Sequence, residues 1–485
     1  MCGIAGEINQ DINYILNNQD IYINMQSVLK RRGPDQDGIY IKDNAALIHT
    51  RLAVVDIENG RQPMIFTRGS EEYVLVYNGE LYNTAELRHE LELLGHKFTG
   101  HSDTEVVGHA YVEWKCEAVE KFNGIFAFAI WESHSGRLFM ARDRIGVKPF
   151  FYAETGGGII FASEIKALLG HSAVKSDIDA NSIAEIMLIG PGRTPGYGVF
   201  RQIKELEPAS YAVYRLSNPH RLCQCRYWGL TDKEHTDSFE QTVEKVRELV
   251  LDSIERQLVS DVPVCTFLSG GLDSSLISSV ADRYFQKKGL KLHTFSVDYK
   301  DNEKYFTAGK FQPNSDSEYI ERMKKYLSAE HHQIILDTDR LVNALYLAVD
   351  ARDLPGMADV DSSLLCLCED IKKHATVALS GECADEIFGG YPWYRDKEIR
   401  DKYGFPWSQS TEFRKSFLNS DILGYINPED YVSERYKNTV NDTDVLYTVN
   451  KDEKRMKEMI NLNMKWFMQT LLDIKDLKVN KSYIV

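Results

Sequence analysis

Apolar residues recur with two different periods along this 485-residue chain. In the first two hundred residues they gather into short runs rich in β-branched and aromatic side chains. The runs at 3–8, 46–55 and 73–77 each predict a strand. Residues 125–131 and 137–141 predict two more, joined by a turn at Ser135-Gly136. Leu87, Leu91 and Leu94 recur at helical spacing, so 84–94 predicts a helix that Gly95 stops, and 103–121 predicts a second. Many strands with two helices indicate a layered α+β domain.

The stretch 181–236 follows neither period. Gly190-Pro191-Gly192-Arg193-Thr194-Pro195-Gly196 breaks regular structure, 211–216 predicts a last strand, and 228–236 has the character of a linker. Beyond it the pattern changes. A helix over 239–258 precedes strand 263–268, helix 275–287, strand 292–297, helix 318–327 and strand 332–336. Helices 340–349 and 362–373 and strand 376–379 follow. Alternating β and α predicts an α/β domain with a parallel sheet, whose ligands sit at the carboxyl ends of the strands. Ser269 and Ser380 fall at such ends. The domain division expected is 2–210, a linker 211–235, and 236–485.

A length of 485 residues calls for two or three domains, and 43% hydrophobic residues suffice for sizeable cores. The net charge of -15 argues against nucleic acid or an anionic membrane as partner. No apolar run is long enough to span a bilayer, and the first residues are not a signal peptide. Eight scattered cysteines suit a reducing, cytoplasmic setting rather than a disulfide framework. Cys223-x-Cys225 and Cys366-x-Cys368 lack zinc spacing.

Three places carry chemistry. The strand at 263–268 runs into Ser269-Gly270-Gly271-Leu272-Asp273-Ser274-Ser275 and then a helix. Glycines let backbone N–H groups approach an anion, serines add hydroxyl donors, and the helix start favours negative charge, so this is a phosphate cradle. No Gly-Lys-Ser/Thr follows, which excludes a Walker A loop. At the next strand end, Ser380-Gly381-Glu382-Cys383-Ala384-Asp385-Glu386 concentrates carboxylates suited to Mg²⁺ and to proton handling. Third, Cys2 directly follows the initiator Met. With Met1 removed, its thiol would sit beside a free α-amine of pKa about 8, which can act as its own general base.

Cys2-Gly3-Ile4-Ala5-Gly6, Arg32-Gly33-Pro34-Asp35, Arg51-Leu52-Ala53-Val54-Val55-Asp56, Tyr77-Asn78-Gly79-Glu80 and Ser102-Asp103-Thr104-Glu105 occur together in this order. The set resembles the class II glutamine amidotransferase domain, an N-terminal-nucleophile hydrolase with αββα layers. The resemblance implies that Cys2 attacks the glutamine amide and releases ammonia, and that Asn78 and Gly79 form an oxyanion hole. It also implies that Arg51 clamps the glutamine α-carboxylate, that Glu80 and Asp103 accept its α-ammonium group, and that Leu52, Val54 and Val55 complete the pocket.

The serine loop resembles the pyrophosphate loop of the ATP pyrophosphatase superfamily. With the glutaminase motifs, nearly the whole chain is similar to the glutamine-hydrolysing asparagine synthetases of type B. The resemblance implies ATP and Mg²⁺, with Phe267, Val297, Ser380 and Gly381 on the AMP part. Ser269, Gly270, Gly271, Leu272, Asp273, Ser274 and Ser275 would line the pyrophosphate. Asp273 and Asp385 would hold the metal, Glu382 would serve as base, and Lys475 would steady the phosphate. Glutamine, aspartate and ATP are the implied partners, with a homodimer left open. Cys383 stands where the family has glycine, and a side chain there raises the cost of a positive φ.

The family continues past Leu472-Asp473-Ile474-Lys475-Asp476, whereas 477–485 follow another sequence. A C-terminally truncated synthetase domain is therefore expected, with Trp466, Phe467, Leu471 and Leu472 uncovered. Two alternatives stay open: a remnant or partner protein that keeps only the glutaminase, and a related amidotransferase acting on another carboxylate.

Overall fold

The structure, a computed structural model, describes residues 1–309, 315–447 and 449–478, with side chains through Asp473. It divides into two units: Met1–Gly229 with Arg414–Pro428, and Leu230–Phe413 with Glu429–Val485.

The first unit contains twelve strands in chain order: β1 (Gly3–Asn9), β2 (Gln36–Lys42), β3 (Ala45–Arg51), β4 (Met64–Arg68), β5 (Glu71–Leu81), β6 (Gly124–Glu132), β7 (Arg137–Arg142), β8 (Phe151–Glu154), β9 (Gly158–Ala162), β10 (Ile203–Glu205), β11 (Ser210–Arg215) and β12 (Cys223–Arg226). They form two six-stranded sheets, ordered β10-β8-β9-β1-β3-β2 and β12-β11-β7-β6-β5-β4, with antiparallel pairing throughout.

Side chains alternate across a strand, and burial follows that alternation. Ile4 and Ile8 of β1, Ala45 and Leu47 of β3, Val74 and Val76 of β5, and Ala127, Ala129 and Trp131 of β6 make one apolar core between the sheets. The opposite face of β5, through Tyr73, Leu75, Tyr77 and Leu81, packs on Leu87, Leu91, Val107 and Tyr111 of helices Thr84–Leu93 and Asp103–Trp114. Helices Gln19–Leu29 and Ile165–Leu169 pack on the other sheet. The layers are αββα, as the resemblance implies.

In the second unit, β13 (Val264–Phe267), β14 (His293–Tyr299), β15 (Glu330–Leu336) and β16 (Val377–Leu379) form a parallel sheet ordered β15-β14-β13-β16. Leu336 joins Ala344, Ala348 and Leu365 of helices Thr338–Arg352 and Ala358–Ile371 in a core under one face. Trp393, Tyr394 and Met459 form another cluster.

Several expectations need correction. Residues 211–226 are not linker: Ala212 and Tyr214 enter the inter-sheet core, so β11 extends the second sheet and β12 edges it. The strand expected over 46–55 ends at Arg51, because the Arg51 guanidinium draws the carbonyls of Val55, Asp56 and Ile57 around itself. The helix expected over 103–121 breaks at Lys115, whose φ is 53°. Helix Gln19–Leu29 is an addition to the expected elements, with Tyr22, Met25 and Leu29 as its buried stripe. The helix after the serine loop starts at Leu272, one turn earlier than expected. Trp466 and Leu471, expected uncovered, are 2% and 8% exposed, and the Trp466 indole N–H donates to Thr439 Oγ1 at 2.9 Å.

Candidate active sites

Cys2 precedes β1 on the side of Ile4 and Ile8. His49 and Arg51 continue the inward stripe of β3, and Asn78 and Glu80 continue that of β5. Five polar side chains thus take over where three apolar stripes stop, at one end of the sandwich.

The Cys2 N–H donates to Asn78 Oδ1 at 3.1 Å, and its thiol points at the Leu52 carbonyl at 3.7 Å. Arg32 Nε donates to the Cys2 carbonyl at 2.8 Å, while Arg32 Nη1 pairs with buried Glu164 at 3.2 Å. Asn78 Nδ2 is buried without a hydrogen-bond partner. A buried orphan donor costs about 1–3 kcal/mol, and this one belongs to the side chain that accepts the Cys2 N–H. Gly79 is held tightly: a Cβ there would lie 2.4 Å from the Ile125 carbonyl oxygen. Burial pushes the Cys2 thiol up, while the nearby terminal amine pulls it down.

Glu80 Oε1 is also buried without a partner. Burial raises the Glu80 carboxyl to about 7, with Lys148 opposing and Asp103 adding to the rise. Asp103 Oδ2 accepts from the Tyr77 hydroxyl at 2.8 Å and from Leu81 N–H at 3.1 Å, and burial raises its pKa. Arg51 is engaged within the protein. Its Nη1 donates to Gln36 Oε1 at 2.7 Å and the Ile57 carbonyl at 3.0 Å, and its Nη2 to the carbonyls of Val55 at 2.9 Å and Asp56 at 2.7 Å. The terminal nitrogens are spent on shaping the loop, which leaves Nε.

In the second unit, Phe267 ends β13 and the serine loop follows. Gly270 has φ +80°, and a Cβ there would lie 2.8 Å from Tyr319 Cβ. Gly271 caps the helix, so Leu272, Asp273, Ser274 and Ser275 occupy its first turn. Ser269 Oγ and Ser274 Oγ lie 3.0 Å apart, and Ser274 Oγ also faces the Ser269 N–H at 3.2 Å and the Gly271 carbonyl at 3.3 Å. The carbonyl end of β16 meets this turn: a Cβ on Gly381 would lie 2.8 Å from Asp273 Cβ and 3.0 Å from Ser274 N. Burial, then the charge of Asp385, raises the Asp273 pKa; burial, then Glu382, raises that of Asp385. Glu386 accepts from the Tyr391 hydroxyl at 2.6 Å. Cys383 has φ 72°, the left-handed conformation that a glycine would adopt freely.

The family model for a glutamine amidotransferase domain matches residues 1–228, and that for asparagine synthase matches 245–479. The chain is 48% identical to asparagine synthetase [glutamine-hydrolyzing] 3 of Bacillus subtilis, over 98% of this chain and 77% of that protein. The chain belongs to the glutamine-hydrolysing asparagine synthetases. A putative asparagine synthetase 2 of Methanocaldococcus jannaschii is 30% identical, over 99% of this chain and 98% of that one. Asparagine synthetase 1 of Bacillus subtilis is 33% identical, over 82% of this chain and 60% of that one.

Within this family frame, the structure brings Cys2, Leu52, Asn78, Gly79, Glu80 and Asp103 together, with Val54 and Val55 in the adjoining loop. It also gathers Ser269 to Ser275 with Gly381 and Asp385. Val297 lies inside β14, two strands from Ser380. The side chain of Lys475 lies outside the described residues. Sequence reasoning gave no role to Arg32, Glu164, Tyr77 or Lys148. The first three hold Cys2 or Asp103 in place. Lys148 is 2% exposed, and its Nζ meets Met1 Sδ at 2.7 Å. A lysine in an otherwise apolar stretch, Gly146-Val147-Lys148-Pro149-Phe150, was the available signal.

Proposed function

We propose that the chain makes asparagine from aspartate, with ATP activating the acceptor and glutamine supplying the nitrogen. The observation that carries the glutaminase half is the orphaned Nδ2 of Asn78, the side chain whose Oδ1 holds the Cys2 N–H. The Cys2 amine, freed by loss of Met1 and bonded to Asn78 Oδ1, takes the thiol proton. Sulfur then attacks the amide carbon of glutamine. Asn78 Nδ2 and the Gly79 N–H meet the developing oxyanion, a task worth about 2.7–4 kcal/mol per donor. The amine returns the proton to the leaving nitrogen, ammonia departs, and water cleaves the thioester to glutamate. Ionised Glu80 and Asp103 accept the substrate ammonium group. Arg51 holds the 55–57 loop and offers Nε towards the carboxylate.

In the second unit, the aspartate β-carboxylate attacks the α-phosphorus of ATP and pyrophosphate leaves into the serine loop. There the Ser269 and Ser274 hydroxyls replace their mutual bond with bonds to phosphate oxygens, and the Ser275 hydroxyl and the helix N-terminus add further donors. Ammonia then attacks the acyl carbon, AMP leaves, and Glu382 takes the proton. Burial and the charge of Asp385 raise the Asp273 pKa, and burial and Glu382 raise that of Asp385, so this crowded negative charge fits Mg²⁺. The two aspartates would hold the ion, which would neutralise charge on the phosphates. Family membership favours aspartate over other carboxylates.

Cys2→Ala tests the division of labour. Glutamine-dependent asparagine formation should fall below detection while synthesis from added ammonium salt persists. Loss of both activities in a folded variant would refute two separable sites.

A further inference from the structure

The amino-terminal ends of the strands in the second unit carry a cluster that neither half-reaction uses. His293 opens β14 and Glu330 opens β15, and the parallel register pairs them. Two residues further, the same register pairs Phe295 with His332. Side chains two apart share a face, so His293, Glu330 and His332 project together. Nδ1 of His293 and Nε2 of His332 are 2.9 Å apart, and His332 Nε2 lies 3.8 Å from Glu330 Oε1. All three donor atoms fall within 4.8 Å of one another. Zinc bonds of about 2.0–2.1 Å in tetrahedral geometry place neighbouring ligands roughly 3.3 Å apart, which the two measured separations bracket.

The rings are also restrained. His332 stacks on Phe295, with centroids 4.7 Å apart at 16°, and lies 4.6 Å from the ring of His374. Two imidazoles with one carboxylate suit Zn²⁺, Ni²⁺ or Cu²⁺, whereas Mg²⁺ and Ca²⁺ favour oxygen donors alone. We propose that His293, Glu330 and His332 form a binding site for a divalent transition metal that ties β14 to β15. It is separate from the Asp273 and Asp385 carboxylates, which lie beyond the opposite ends of the strands. Three protein donors leave a coordination position for water. The competing account is a histidine pair that merely shares one proton.

The test uses the full chain, stripped with chelator and titrated with Zn²⁺ by equilibrium dialysis. Exposed thiols compete for added zinc, so all proteins carry Cys223→Ser and Cys225→Ser at the two exposed cysteines. The parent should bind one more zinc than His332→Gln and should gain thermal stability from it. Glu330→Gln changes an exposed side chain and spares the fold; it should weaken that zinc by at least the about tenfold that lesser changes around metal ligands produce. Cu²⁺ in the parent should show electron paramagnetic coupling to two imidazole nitrogens. Equal zinc stoichiometry and affinity in parent and both variants, or copper without that coupling, would overturn the proposal.

Discussion

Asn78 and Glu80 sit on a strand whose inward residues Val74 and Val76 are fully buried, whereas Ser269 to Ser275 occupy a loop and first helical turn where Leu272 is 83% exposed. In the first site the sheet fixes every donor and acceptor before substrate arrives, and three polar atoms, His49 Nδ1, Asn78 Nδ2 and Glu80 Oε1, stay unpaired in consequence. In the second, the Ser269 and Ser274 hydroxyls satisfy one another, and the carboxylates crowd like charge that Arg395 offsets only in part. A site made from core stripes is complete in advance, at a cost in burial of polar groups. A site made at strand ends is completed by its ligand.

That contrast breaks most sharply under a crossed pair of substitutions. Asn78→Ala should lower glutamine hydrolysis by about 10²–10³ and spare pyrophosphate release from aspartate and ATP with added ammonium salt. Asp273→Ala should do the reverse. Losing a ligand to the phosphate-neutralising ion should slow pyrophosphate release on the order of 100-fold, the equivalent of about 3 kcal/mol, with glutaminase unchanged. Parallel loss of both activities in either variant would erase the contrast.

The pH dependence separates the sites next. The Glu80 carboxyl, raised to about 7 by burial, is neutral below that pH and charged above it. Only the charged form accepts the glutamine ammonium group. The Cys2 amine, with an ordinary pKa of about 8, must also be unprotonated. The kcat/KM for glutamine reports the free enzyme. It should therefore fall by about 100-fold per pH unit well below 7, where two protons bind. Glu80→Gln should reduce that to about tenfold. An unchanged slope would remove Glu80 from the substrate pocket.

The smallest effect concerns Cys383. Its φ of 72° costs roughly 1–2 kcal/mol for a residue with a Cβ, and glycine gives back about 0.5–1 kcal/mol through its freer unfolded chain. Cys383→Gly should stabilise the second unit by about 0.5 kcal/mol or a little more. That is about 1–2 °C in the melting midpoint of a unit this size, read by calorimetry. Destabilisation would mean that packing of the buried thiol outweighs the backbone term.

Much of this was legible in the sequence because the determinants are local. The change from period 2 to alternating strands and helices announced the two architectures. The glycines at 270 and 271 and the positive φ expected at 383 follow from backbone sterics alone. The rest depends on partners distant in the chain. Residues 211–216 read as a strand, but nothing local shows that Ala212 and Tyr214 enter the inter-sheet core, because their neighbours lie in other strands. Residues 52–55 read as strand because nothing local shows that Arg51 will gather the carbonyls of Val55, Asp56 and Ile57. The stripe that turns polar at His49, Arg51, Asn78 and Glu80 was present in the pattern, but only the facing of the two sheets shows that these residues converge on Cys2.

The central claim is that the two units catalyse consecutive steps of one synthesis. It is tested most directly by following ammonia, pyrophosphate and asparagine together in one reaction of glutamine, aspartate and ATP. The account predicts one asparagine and one pyrophosphate for each glutamine consumed, with little free ammonia. Ammonia accumulating in step with glutamine loss while no asparagine forms would contradict it.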